Sequence, residues 1–135
     1  MTNRPLVLIA DDDADILELV SLTLEGDGYE VARARNGEDA LWIAANRDPH
    51  LAVLDLMMPG IDGYEVTKRL RASQRNRRVP ILILSAFAEE SQAALALAAG
   101  ADAYMNKPFS PRELLTRAGS MILDQRPRSR LAASG

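Results

Sequence analysis

Residues 51–63 read LAVLDLMMPGIDG. Leu51 to Leu54 form an apolar run with no polar interruption, and one carboxylate, Asp55, closes it. An unbroken apolar run this short suits a strand covered on both faces. Met58-Pro59-Gly60 then marks a loop. Asp62 stands where it can cap a helix carrying Val66 and Leu70 on its inner face.

The same succession recurs in both directions. Toward the N-terminus, Leu6 to Ala10 (LVLIA) is an apolar run followed by Asp11, Asp12 and Asp13. Asp12 or Asp13 can cap a helix with Ile16, Leu17, Val20 and Leu24 on one face, ended by Gly26 and Gly28. Tyr29 to Ala34 reads as a strand and Asn36-Gly37 as a turn. Ala40, Leu41, Ile43 and Ala44 mark a helix that stops before Pro49. Toward the C-terminus, Val79 to Leu84 is a strand, Glu89 to Ala99 an alanine-rich helix closed by Gly100, and Ala101 to Met105 a fifth strand. Ser110 caps the last helix, with Pro111 at its first position and Leu114, Leu115, Ala118 and Ile122 facing inward.

Five strand–helix units in a row imply a parallel sheet with helices on both faces. The first, third and fourth strands are continuous apolar runs, as central strands should be. The second and fifth alternate in polarity, which suits exposed edges. That places the strands in the order 2-1-3-4-5, the α/β, flavodoxin-like, doubly wound (βα)5 three-layer sandwich. The periodic pattern stops after Asp124. Residues 1–124 therefore read as one domain and 125–135 (QRPRSRLAASG) as a flexible C-terminal tail or linker stub.

The bulk numbers exclude several classes. A chain of 135 residues with 47% hydrophobic content can build a core without staples. It has no cysteine, so disulfides and thiolate chemistry are out. A net charge of −3 offers no global basic field, and no direct nucleic-acid binding by this domain is expected. No apolar run is long enough to span a membrane, and the N-terminus does not read as a signal peptide. The expected location is the cytoplasm.

In an open parallel sheet, ligands bind at the carboxyl ends of the strands. After the first strand come Asp11, Asp12 and Asp13, after the third Asp55, after the fourth Ser85, and after the fifth Lys107-Pro108. Converging carboxylates repel one another unless a proton or a cation intervenes. An all-oxygen site suits Mg²⁺. A lysine and a serine beside such a metal are placed to hold phosphoryl oxygens. Asp55 is the candidate nucleophile, because it sits singly at a central strand end. Each residue taken alone has a plainer reading. Asp13 serves as a helix cap, Asp11 and Asp12 as surface acids, Ser85 as a bonded loop serine and Lys107 as a solvated charge. Four matched strand ends together outweigh those readings.

These segments resemble the receiver domains of bacterial two-component response regulators, chemotaxis regulators among them. VLIADDD, LAVLDLMMPGIDGYE, VPILILSA and GADAYMNKPF occur in order, and the likeness runs from about Pro5 to Leu123. The resemblance implies that Asp55 is the phosphoacceptor, that Asp11 and Asp12 form the acidic pair holding Mg²⁺, and that Met57 adds its backbone carbonyl. It implies that Ser85 is the switch hydroxyl, that Lys107 pairs with the phosphoryl group ahead of a cis bond to Pro108, and that Tyr104 is the switch aromatic. The implied phosphodonor is a histidine kinase or phosphotransfer protein. The implied readout is a surface made by the fourth helix, fifth strand and fifth helix, offered to an output partner or domain or to a phosphorylation-dependent homodimer. Asn106 stands where threonine is frequent in the family, with little effect expected. Met57 and Phe87 are apolar where polar residues often sit, which suggests a long-lived phosphorylated state.

The fourth helix carries little charge after its first turn, and its apolar residues read as core. That low charge counts against the subfamily that dimerises through this face to drive winged-helix DNA binding. Arg69, Arg71, Arg75, Arg77 and Arg78 read as a solvated basic stretch, and His50 lies far from the acidic edge. The alternative readings are a haloacid-dehalogenase-like phosphatase, which leaves Asp55 unexplained, a nucleotide or flavin binder, which the aspartates would repel, and a pseudo-receiver that is never phosphorylated.

Overall fold

A strand buried on both faces needs a helix layer on each side, and the computed structural model supplies both. It describes residues 4–86 and 90–134, with side chains up to Asp124. The elements are β1 (Leu6–Ala10), α1 (Ala14–Gly26), β2 (Glu30–Ala34), α2 (Gly37–Arg47), β3 (Leu51–Asp55), α3 (Gly63–Ala72), β4 (Ile81–Ser85), α4 (Glu90–Ala99), β5 (Ala103–Asn106) and α5 (Pro111–Ser134). All strand pairs are parallel and the order is β2-β1-β3-β4-β5. This is the doubly wound sheet expected from the alternation.

Strand period divides the core into two layers. Leu8, Ala10, Ala52, Leu54, Ile81 and Ile83 face α2, α3 and α4, meeting Ala40, Ala44, Val66 and Leu70. Val7, Ile9, Leu51, Val53, Leu82 and Leu84 face α1 and α5, meeting Leu17, Val20, Leu24, Leu114 and Ala118. β1, β3 and β4 are buried at every position, while β2 exposes Glu30 and Arg33.

Capping side chains stand where expected. Asp13, rather than Asp12, caps α1, its Oδ1 accepting from the Asp15 amide at 2.9 Å. Asp62 accepts from the Glu65 amide at 2.9 Å and Ser110 from the Glu113 amide at 3.0 Å. β4 opens at Ile81 instead of Val79, because Pro80 has no N–H to give a ladder. β5 opens at Ala103, because the Ala101 amide is still bonded to the Ala96 carbonyl of α4, at 3.1 Å.

Two expectations need correction. The first concerns α4, whose apolar side chains are not core. Of its residues only Ala96 is buried, and Leu95 and Leu97 are 57% and 49% exposed. Its alanines and leucines surround the helix instead of forming a stripe. The second concerns the basic stretch, which is partly engaged. Arg71 bonds the carbonyls of Gly100, Val79 and Arg77, and Arg75 pairs with Asp48. The backbone of the last helix runs on to Ser134. Arg, Leu and Ala favour helix.

Candidate functional site

Each acid arrives at the edge because a buried strand carries it there. Asp11 follows β1 directly and is 3% exposed; Asp55 is the last residue of β3 and is 7% exposed. Asp12 lies beside them and is exposed. Asp11, Asp12 and Asp55 each present an oxygen within 4.8 Å of the others. Asp11 is held by its own loop, its Oδ1 accepting from the Asp13 amide at 2.9 Å.

Lys107 completes the cluster from β5. Its Nζ lies 2.7 Å from Asp11 Oδ2 and 3.7 Å from Asp55 Oδ1. The Lys107 amide donates to the Ser85 carbonyl at 2.8 Å, which sets the lysine beside the fully buried Ser85 at the end of β4. The Lys107–Pro108 peptide is cis. The Met57 amide donates to Asp55 Oδ1 at 3.4 Å, and the Met57 side chain is 57% exposed. Phe87 lies outside the described residues. Tyr104 sits within β5, two positions before the edge strand's end, partly buried against the α2–α3–α4 side of the core.

The electrostatics of this cluster are unbalanced. Burial, then Asp11 and more weakly Asp12, push the Asp55 carboxyl up to about 6, against the pull of Lys107 and the Met57 amide. One ammonium does not neutralise three acids. A hard divalent cation with oxygen ligands fits both the donor set and the surplus charge.

Two backbone features that the motif reading passed over hold the site in place. Gly63 donates its amide to the Leu56 carbonyl at 2.9 Å, and a Cβ there would collide with the Asp55 carbonyl and lie 2.9 Å from the Leu56 Cα. A Cβ on Gly37 would meet the Ile61 carbonyl in the same loop. These glycines let α2 and α3 press against the segment that carries Asp55 and Met57. The Gly-x-x-Gly spacing of residues 60–63 was the available signal, although close approach cannot be read from one residue.

The chain resembles known proteins. Residues 7–119 match the family model of the response regulator receiver domain. The chain belongs to this family.

The receiver is 46% identical over 116 residues to the alkaline phosphatase synthesis transcriptional regulatory protein PhoP of Bacillus subtilis, covering 86% of this chain and 48% of that protein. It is 40% identical over 116 residues to the phosphate regulon transcriptional regulatory protein PhoB of Pseudomonas aeruginosa, covering 86% and 51%. The chain thus spans about half the length of the curated relatives it matches. Among solved structures, the chemotaxis response regulator CheY4 of Vibrio cholerae superposes with a TM-score of 0.84 at 32% identity, covering 88% of this chain and 99% of that one. As a receiver the chain is a signalling phosphoacceptor, and the phosphatase reading falls. Among the described residues no helix is long and apolar enough to cross a membrane.

Proposed function

We propose that Asp55 accepts a phosphoryl group from the phosphohistidine of a histidine kinase or phosphotransfer protein in the cytoplasm. One observation carries the assignment to Asp55 over its neighbours. Asp11 is already bonded to Lys107 and to its own loop, and Asp12 is exposed, whereas Asp55 is buried with its charge incompletely compensated.

An Asp55 oxygen forms the new P–O bond as the donor's P–N bond breaks, and the imidazole leaves with the electron pair. Lys107 holds a phosphoryl oxygen by shifting from Asp11 toward Asp55, a short reach given its present distances. The Ser85 hydroxyl, at the adjacent strand end, bonds a second oxygen. Asp11, Asp12, Asp55 and the Met57 carbonyl would hold Mg²⁺. When bound, the ion supplies positive charge to the transferring oxygens. Ser85 and Tyr104 then carry the change to the α4–β5–α5 surface, which meets an output partner, an output domain or a second copy.

The test is intact-mass measurement after incubation with acetyl phosphate and Mg²⁺. One phosphoryl group adds to the wild type and none to Asp55→Asn. Retention of label in Asp55→Asn, or no label on the wild type from acetyl phosphate or a kinase, overturns the reading.

A further inference from the structure

Helix α4 is poorly held for an element of a packed domain. A ten-residue helix is marginal alone and depends on burying a face. Among the described residues α4 buries Ala96 only, in one cluster with Val66 and Leu70 of α3, and a groove of about 470 Å³, lined in part by Tyr64, Lys68, Leu95 and Ala98, opens between the outer faces of the two helices. Beyond that small apolar contact, two α3 side chains hold the helix by hydrogen bonds, one toward each end.

At the far end Arg71 Nε donates to the Gly100 carbonyl at 2.9 Å, just past the last residue of α4. The same guanidinium bonds the Val79 carbonyl at 2.7 Å and Asp102 Oδ2 at 2.8 Å, and Asp102 also accepts from the Ile81 amide at 2.8 Å. This end of α4 is therefore fastened to the entries of β4 and β5 by a planar cation with several partners. At the near end the Tyr64 hydroxyl donates to the Gln92 side-chain carbonyl, with the Gln92 backbone carbonyl 3.3 Å away. That is a neutral bond to a rotatable amide.

The two ends differ in what they are built on. Tyr64 follows Gly63, which is pressed against the Asp55 backbone, so the ring is built on the segment next to the acid. Gln92 belongs to the first turns of the helix that follows Ser85 and β4. The hydroxyl thus joins the Asp55 side of the site to the Ser85 side. Tyr104 stands close enough to Tyr64 to contribute, after burial, to raising its hydroxyl's pKa.

We propose that Tyr64 is a positioning residue of the switch: its hydroxyl latches the first turns of α4 through Gln92, while Arg71 keeps the other end as a pivot. Phosphoryl loading at Asp55 must release the latch, so the latch sets how much of the unloaded protein already occupies the loaded arrangement. The inference rests on the receiver reading above.

Tyr64→Phe keeps the ring and deletes only the hydroxyl. In that variant the apparent affinity for beryllofluoride with Mg²⁺ rises about fivefold, the equivalent of one neutral hydrogen bond. The α4 amide resonances of unliganded Tyr64→Phe move along the line joining the free and beryllofluoride-loaded wild-type positions. Gln92→Ala moves them the same way by less, since the backbone acceptor remains, and the double variant adds nothing to Tyr64→Phe. An affinity within twofold of wild type with unliganded resonances at wild-type positions overturns the latch, whatever the melting temperature does. A wild type that ignores beryllofluoride and Mg²⁺ sinks the receiver reading itself, and the latch with it.

Discussion

The two edges of the sheet treat charge in opposite ways. At the carboxyl edge three acids converge on one ammonium, and Asp55 is left with a carboxyl raised to about 6. At the amino edge Arg71 meets Asp102 and backbone carbonyls, Arg75 meets Asp48, and His50 Nδ1 accepts from the Leu6 amide at 3.0 Å. One edge is matched and steadies the frame. The other is left unbalanced, which costs stability and gives a cation and a phosphoryl group something to relieve. The lesson is that the same topology separates support from chemistry by the length of a strand.

The contrast can be broken or sharpened by substitution. The largest effect is expected from Gly63→Ala, which forces a methyl group into the Asp55 carbonyl and Leu56. Stability should fall by about 3 kcal/mol in denaturant titration, and labelling by acetyl phosphate should fall at least tenfold because Asp55 itself is displaced. Arg71→Ala comes next. It strips the amino edge of its central cation and leaves Asp102 and three carbonyls short of a donor, for a loss of about 2–3 kcal/mol. Labelling should stay within a few-fold of wild type, since no carboxyl-edge group is touched. A collapse of labelling in the folded variant would show that the edges are not separable.

The smallest effect has the opposite sign. The folded, metal-free protein binds a proton on Asp55 more tightly than the unfolded chain does, because the carboxyl rises from 3.8 to about 6. That contribution is present in full below about pH 4 and is lost as the pH rises through about 6. Asp55→Asn should therefore stabilise the metal-free protein near pH 7.5 by on the order of 1–2 kcal/mol. The gain should vanish near pH 4. It should also shrink when Mg²⁺ is added, because a cation that binds the folded wild type raises its midpoint. An Asp55→Asn protein less stable than wild type at pH 7.5 without metal would refute the imbalance.

Much of this was legible from residue order. Strand segments that lead into Asp11, Asp55, Ser85 and Lys107 give both the parallel sheet and the edge on which chemistry gathers, because strand direction alone decides where those side chains arrive. Asp13, Asp62 and Ser110 announced their helices through capping chemistry that is local in sequence. What stayed hidden depends on distant backbone. Arg71 read as a solvated charge because its partners are the carbonyls of Val79, Arg77 and Gly100, and carbonyls have no letter in a sequence. The exposure of Leu95 and Leu97 stays hidden because an apolar composition does not by itself make an apolar face. Gly63 follows the predicted cap Asp62 without further distinction, and only the packed helix reveals that nothing larger fits.

The pair between Lys107 and Asp11 joins residues 96 positions apart. During translation, the aspartates of the first and third strands leave the ribosome well before the lysine does. A nascent chain therefore holds its acids without their counter-charge until nearly the whole domain has been synthesised. The assembled acidic site is then a property of the folded domain, and a partly made copy cannot compete with complete ones for a phosphoryl group.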